Sequence, residues 1–583
     1  MIPRAKQPDE VRTALQACKR YFVTALIFSL AINLLYLAGP LYMLQVYDRV
    51  ITSASEVTLV MLTIVLLVAF SALAGLDLVR AQILTRASVR LDRLLAGRVL
   101  AATIEGSLRG ALPSSQALRD FDNFRQFVTG AGIHAVFDLP WAPIYILVIF
   151  LLHPLLGLFA LLSAIALVAL AVFGQWRVQP PIAEASEIAS RNYAFTEMSL
   201  RNAEVVQAMG MMPGLLKRWN RDRSRGLERQ VLASDRAASN TSVIRFLRLS
   251  MQSLILGLGA YLVIERLVTI GAMFAAAVLL GRALQPVEQI VGSWRAMISA
   301  RGAFDRIKAL LAGSPVRPPA LVLPRPAGRL SVEGLVYGLP GSRSAILRGI
   351  SFRLDAGDVL GVIGPSGAGK STLARQIVGV LAPSAGAVRL DGADVSTWPR
   401  DLLGRHLGYL PQDIELFADT VAVNIGRFRA EDDDSDVIAA AKLAGVHEAI
   451  LRLPKGYETN VGDGGAVLSG GIRQRIGLAR AVYGKPSLVV LDEPSSNLDS
   501  EGDAALLTCM TELKQQGTTV IMISHRPNTF SVVDKLLVLK DGAAEAFGPR
   551  NEVIGRLTRL APAASAPKAP SENTSATTKA QAR

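Results

Sequence analysis

The residues best equipped for chemistry lie in one run, Gly364-Pro365-Ser366-Gly367-Ala368-Gly369-Lys370-Ser371-Thr372. A glycine, four residues and then Gly-Lys-Ser is the spacing of a loop whose backbone N–H groups curl around phosphates. Such a loop opens a helix, where the dipole favours anions. Lys370 would reach the β- and γ-phosphates of a nucleotide, and the Ser371 hydroxyl would ligate Mg2+. The apolar run 359–363 in front supplies a strand and 373–380 behind supplies a helix. With both flanks present, a chance Gly-rich turn is a poor description.

A second apolar run, 487–491, ends in Asp492-Glu493. A carboxylate at the C-terminal edge of a buried parallel strand can hold Mg2+, which is the role expected of Asp492, directly or through water. Glu493 is then within reach of a water beside the γ-phosphate, as a general base. Between these runs lies Leu468-Ser469-Gly470-Gly471-Ile472-Arg473-Gln474, small residues opening a helix expected over 473–483. That is another anion site. A second phosphate-directed surface has no use for the nucleotide held by Lys370 of its own chain. It makes sense if two copies face each other head to tail.

The elements that position these groups occupy only part of the 583 residues. Hydrophobic residues make up 51% and charged ones 19%, with a mean hydropathy of +0.35. So few charges indicate that part of the chain sits in lipid. Six apolar stretches, at 22–44, 57–76, 133–152, 155–176, 243–264 and 270–290, are each about long enough to cross ~30 Å of hydrocarbon as a helix. His153-Pro154 marks the turn between the third and fourth. Arg245, Arg248 and Arg282 interrupt the last two. A charged N-terminal arm without a small-residue cleavage site leads into the first stretch, which reads as an uncleaved span.

Charge gives the orientation. Five Lys and Arg precede the first stretch, eight lie in 77–130 and ten in 177–241, against one, none and one in the short loops. By the positive-inside rule the N-terminus, both long loops and all that follows the sixth stretch face the cytoplasm. The net charge of +14 is thereby explained without a nucleic-acid surface, which would need a basic stripe interleaved with aromatics. Two cysteines, Cys18 and Cys509, form neither a disulfide framework nor a zinc site. Apolar residues recur every three or four positions in the long loops, as in 89–104, so these are expected to continue the spans as helices. Phe121, Phe124 and Phe127 give one helix an apolar edge that could rest on another domain. A Pro-rich linker spans 311–329, short β-rich runs alternate with helical ones from Leu330, and the segment 557–583 has almost nothing to bury.

From Leu330 to about Gly548 the chain resembles the nucleotide-binding domain of ATP-binding-cassette (ABC) transporters. The resemblance implies that Ser469, Gly470 and Gly471 are the signature loop contacting the ATP of the opposite subunit. It implies that Gln412, in Tyr409-Leu410-Pro411-Gln412, ligates Mg2+ and senses the membrane domain, and that His525 contacts the γ-phosphate as a switch. Asn497-Leu498-Asp499 matches a loop crossing the dimer interface. Tyr337 aligns with the aromatic residue that stacks on adenine, and Val336 aligns equally well. Ile472 departs from the usual Gln that ends the signature.

In the membrane region, 33–49 and 137–145 look like type I secretion exporters, and 494–499 with 389–392 fit the branch exporting proteases, lipases and surface-layer proteins. The arm before the first span has no room for an N-terminal peptidase domain. The fold implied is a six-helix ABC exporter membrane domain fused to an α/β phosphate-loop nucleotide-binding domain. Its divisions are an arm at 1–20, the membrane domain at 21–310, the linker at 311–329, the nucleotide domain at 330–556 and a disordered tail at 557–583. The function implied is an ATP-hydrolysing inner-membrane exporter, working as a homodimer with ATP and Mg2+. It would pass unfolded polypeptide with a C-terminal signal to a periplasmic membrane-fusion adaptor and an outer-membrane channel protein. An exporter of lipid or small amphipathic molecules is the alternative.

Overall fold

The computed structural model describes residues 9–108, 116–314, 323–339, 344–429 and 434–560. It divides into two compact units, Met1–Pro315 and Val316–Arg583. Part of the expected linker (315–322), the start of the arm (1–8) and the tail from 561 lie outside the described residues.

The first unit is all helix. Six segments are long and apolar enough to cross a membrane: Lys19–Ser53, Glu56–Leu108, Gln116–Leu152, Pro154–Arg201, Met212–Ile264 and Ile270–Gly313. Each contains one of the stretches expected from the sequence. The spans continue into the long loops as helices: Glu56–Leu108 runs for 53 residues, roughly 80 Å at 1.5 Å per residue. Proline marks the break between the third and fourth spans. Pro154 takes the first position of its helix, after an extended His153 whose ring accepts the Leu155 N–H, because a ring without an N–H loses nothing there. The sixth helix continues to Gly313, past the expected boundary at 310.

Exposed Val57, Val60, Val65 and Val68 on the second span, and Leu162 and Ile165 on the fourth, are what lipid tails solvate. Between the spans, Tyr145, Ile149, Leu156, Leu167, Ile255 and Leu280 close a core. A second core joins Val11 and Cys18 to Leu95, Val99, Phe121, Phe124 and Ile307. Phe121 and Phe124 are 2% and 6% exposed, so that apolar edge is spent inside its own unit and is not a free docking face.

Polar ties cross the spans. Asp48 lies in a π-helical turn, Val46–Val50. Its carboxylate accepts from the Gly271 N–H at 2.8 Å and the Thr269 hydroxyl at 2.6 Å, satisfying free donors at the start of the sixth helix. Arg80, 5% exposed, donates to Asp77 at 2.7 Å and Asp138 at 3.2 Å. Asn33 donates to Asp138 at 2.9 Å and accepts from the Tyr145 hydroxyl at 2.9 Å.

The second unit is α/β. Strands β1 (Leu330–Gly338), β2 (Ala345–Leu354), β4 (Ala385–Leu390) and β5 (Ala393–Asp394) form an antiparallel sheet in the order β2-β1-β4-β5. Strands β3 (Val359–Ile363), β6 (Leu407–Leu410), β7 (Leu488–Asp492), β8 (Thr519–Ile523), β9 (Lys535–Lys540) and β10 (Ala543–Pro549) form the other, in the order β10-β9-β3-β8-β7-β6. All its pairs are parallel except β9 with β10. β7 and β8 are buried at every residue, as strands covered on both faces must be. A last helix runs Arg550–Leu560, beyond the expected domain end at 556.

Candidate functional site

β3 lies between β8 and β9 and ends in the Gly-rich loop. Gly364 has φ +154°, and a Cβ there would collide with the Leu539 carbonyl oxygen. Gly369 has φ +94° at the cap of the helix Lys370–Ile377, where a Cβ would fall 2.7 Å from the Leu347 side chain. Only glycine fits either position. Pro365, Ser366 and Gly367 form an exposed rim, while Ala368 is buried and its N–H donates to the Pro365 carbonyl at 3.2 Å. Ser371 and Thr372 continue the first helical turn.

The Lys370 amine donates to the Gly364 and Pro365 carbonyls, each at 2.9 Å. Burial holds it below the ordinary lysine range, against the pull of the Glu493 and Asp492 carboxylates. Asp492 ends β7 and is 1% exposed. Burial pushes its carboxyl above the usual carboxylate range despite a hydrogen bond from Ser371, and among the described residues its Oδ1 has no hydrogen-bond partner. A buried carboxylate oxygen left free beside a hydroxyl is the donor set of a hard divalent cation.

One residue on, Glu493 turns the chain aside at φ +52° and its N–H donates to the Ile523 carbonyl at 3.0 Å. Its carboxylate accepts from Gln412 Nε2 at 3.2 Å and lies 3.5 Å from His525 Nε2. The sheet order explains this meeting. Gln412 follows β6, Glu493 follows β7 and His525 follows β8, three neighbouring parallel strands. Their C-terminal ends share one edge, where ligands of such sheets bind.

Tyr337 lies in β1 opposite Leu347, the residue whose side chain lies against Gly369, whereas Val336 pairs with Ala385 of β4. Of the two, Tyr337 is the one tied to the phosphate loop.

Ser469 caps the helix Gly470–Val482, accepting from the Ile472 N–H at 3.4 Å, and Ser469 and Gly470 are exposed. No hydrogen bond among the described residues joins Ser469, Gly470 or Gly471 to the loop 364–372. Their neighbour is Asn497, whose carbonyl would lie 3.4 Å from a Cβ at Gly471. Ile472 packs partly buried against the core.

Two residues escaped the reading of the sequence. Gln474, 2% exposed, donates to the Pro494 carbonyl at 2.8 Å and accepts from Asn497 at 3.4 Å, tying the Ser469 helix to the loop after Glu493. Tyr409 is half-buried, and burial together with the nearby Asp492 carboxylate raises its phenol above the usual range. A Gln inside a helix that opens on small residues was the available signal for the first. The second had none.

The model of the ABC transporter family matches residues 347–496 and that of the ABC transporter transmembrane region matches 22–287. The chain is 42% identical to the type I secretion system ATP-binding protein PrsD of Rhizobium meliloti, over 94% of each chain. It is 29% identical to the cyclolysin secretion/processing ATP-binding protein CyaB of Bordetella pertussis, over 91% of this chain and 75% of that one. With the leukotoxin translocation ATP-binding protein LktB of Mannheimia haemolytica it shares 27% identity over 92% and 76%. A solved bacterial Atm1-family ABC exporter with ATP bound has the same fold, at a TM-score of 0.81 and 24% identity, over 94% of this chain and 99% of that one. A nucleotide-binding ATPase unit thus follows six membrane-crossing helices, and the chain belongs to the ABC transporters of type I secretion systems.

Proposed function

We propose that two copies of this chain form an inner-membrane exporter that uses ATP to drive an unfolded polypeptide, recognised by a C-terminal signal, out of the cytoplasm. The observation that carries the reading is the 42% identity over 94% of both chains with a type I secretion ATP-binding protein. The excess of Lys and Arg in the arm and long loops supports cytoplasmic termini. A periplasmic membrane-fusion adaptor and an outer-membrane channel protein would complete the path. The alternative, export of lipid or small amphipathic molecules by the same engine, draws on the fold it shares with the Atm1-family exporter.

In this reading each ATP lies between the loop 364–372 of one copy and Ser469, Gly470 and Gly471 of the other, with Tyr337 against the adenine. Lys370 exchanges its two carbonyl partners for phosphate oxygens. Ser371, Gln412 and Asp492 would hold Mg2+, which supplies neutralising charge beside the β- and γ-phosphates. Glu493, oriented by Gln412 and His525, accepts the proton of the attacking water. His525 reports the γ-phosphate. The divisions at 20, 310, 329 and 556 belong to the same proposal.

The test compares culture medium from cells carrying the parent chain with medium from cells carrying Lys370→Ala or Glu493→Gln. One secreted polypeptide should disappear in both variants, and Glu493→Gln should accumulate as an ATP-bound closed dimer. An unchanged set of secreted proteins, with lipid-stimulated ATPase activity, would favour the alternative. Parent-rate hydrolysis by Glu493→Gln would remove Glu493 as the base.

A further inference from the structure

The sixth spanning helix is unlike the other five. Its most apolar window is 61% buried, against 0% for the second span and 33% for the fourth. From Gly271 to Gly313 it exposes no large hydrophobic side chain, whereas every other span exposes several. Along its middle the exposed residues include Gln285, Gln289, Gly292, Arg295 and Ser299. Spacings of three and four align these residues as one stripe. Amides do not face lipid tails, where an unsatisfied polar group costs several kcal/mol. The stripe therefore faces water or protein.

Beside it is a cavity of about 500 Å3. No Leu, Ile, Val, Met or Phe lines it; its wall includes Asn33, Arg80, Asp138, Gln285, Gln289 and Ser293. A pocket for a lipid or drug-like molecule would be mostly hydrophobic. Arg80 is already neutralised by Asp77 and Asp138, and Arg282 lies over the Tyr36 ring at 3.9 Å. Asn33, Tyr145 and Ser293 are bonded within the chain and Gln285 Oε1 accepts from Arg282, so the groups left open to a ligand are mainly the Gln285 and Gln289 amides. These have the same donors and acceptors as a peptide bond.

We infer that the Gln285–Gln289–Ser293 face and the adjoining cavity form a hydrogen-bonding track for the backbone of an extended polypeptide. The inference rests on the export reading above and deepens it. Side-chain amides read the backbone and ignore the sequence, so one track serves every residue of an unfolded cargo. Exchangeable single hydrogen bonds hold a chain in the path yet let it leave.

Both native cysteines are buried, at 0% exposure, so single cysteines can be introduced into the full chain. Gln285→Cys, Gln289→Cys and Ser293→Cys would be compared with the lipid-facing controls Val60→Cys and Ile165→Cys in membrane vesicles. The probe is the polypeptide lost from the medium of Lys370→Ala cells, carrying one cysteine and stalled by fusion to a tightly folding domain. A parent-like melting temperature in detergent identifies the folded variants. The expected result is a several-fold excess of cross-links at the three track positions over the controls, and labelling of those positions by a charged maleimide that the stalled polypeptide blocks. Equal cross-linking at track and control positions would overturn the track while leaving export intact. So would cross-links between two Gln289→Cys chains that exclude the maleimide, which would make the face a subunit interface. If no polypeptide disappears from the Lys370→Ala medium, the export reading fails first and the track with it.

Discussion

Arg80 in the membrane unit and Asp492 in the nucleotide unit are hidden about equally, at 5% and 1% exposure, yet their surroundings differ. Arg80 is held by two carboxylates, one of which, Asp138, also accepts from Asn33 and Ser29. Asp492 has a hydroxyl on one side and an oxygen with no partner on the other. Arg80 Nε also lacks a hydrogen-bond partner among the described residues, but a buried charge met by opposite charge is part of the frame. One with no ion pair among the described residues waits for something outside the chain. Substitution should affect stability in the first case and activity in the second.

The sharpest contrast comes from removing each carboxylate. Asp492→Ala should lower ATPase activity about a hundredfold or more, the scale of a lost metal contact. Its melting temperature should be unchanged or raised, since an uncompensated buried charge is gone. A melting temperature lowered along with activity would break the distinction. Asp138→Leu should instead cost about 3–5 kcal/mol, because it strips Arg80 of a buried partner. Arg80→Met combined with Asp138→Leu should regain most of that in a detergent melting series. If the double variant is no more stable than the single, Asp138 acts by some route other than Arg80.

A smaller effect belongs to Arg427. It is a framework cation inside the nucleotide unit, and burial beside Arg429 and Arg480 pulls its guanidinium down to about 10. It donates to the carbonyls of Gly404, Leu407, Arg480 and Ala481. Arg427→Met should cost about 3 kcal/mol, read as a lower denaturation midpoint with nucleotide affinity retained. The smallest effect is at Cys509, whose thiol burial pushes up to about 12. It stays protonated at neutral pH and should resist thiol reagents until the domain unfolds. Labelling under native conditions would mean that the Ser500–Gln515 helix opens locally.

Legibility follows the same division. The phosphate loop could be read in the sequence because backbone geometry demands glycine at 364 and 369 and chemistry demands Lys370, all within one short run. The six spans were readable because crossing a bilayer needs only length and apolarity. The Gln412–Glu493–His525 meeting depends on sheet order, which no local pattern reports; a family resemblance supplied Gln412 and His525, and the order of β6, β7 and β8 explains why they converge. The tie among Asn33, Arg80, Asp138 and Tyr145 joins residues 58 to 112 positions apart, beyond any periodicity. Phe121 and Phe124 looked like a free edge, since their partners on the sixth helix come nearly two hundred residues later.

The two hydrogen bonds from Asp48 to the start of the sixth helix have a mechanical meaning. They rivet the far end of the first span to the head of the helix that carries Gln285 and Gln289. Pull on one and the other is drawn after it, through a carboxylate held by a hydroxyl and a part-buried N–H. The first and sixth spans therefore travel as a single strut, and any opening at that end must happen along some other seam.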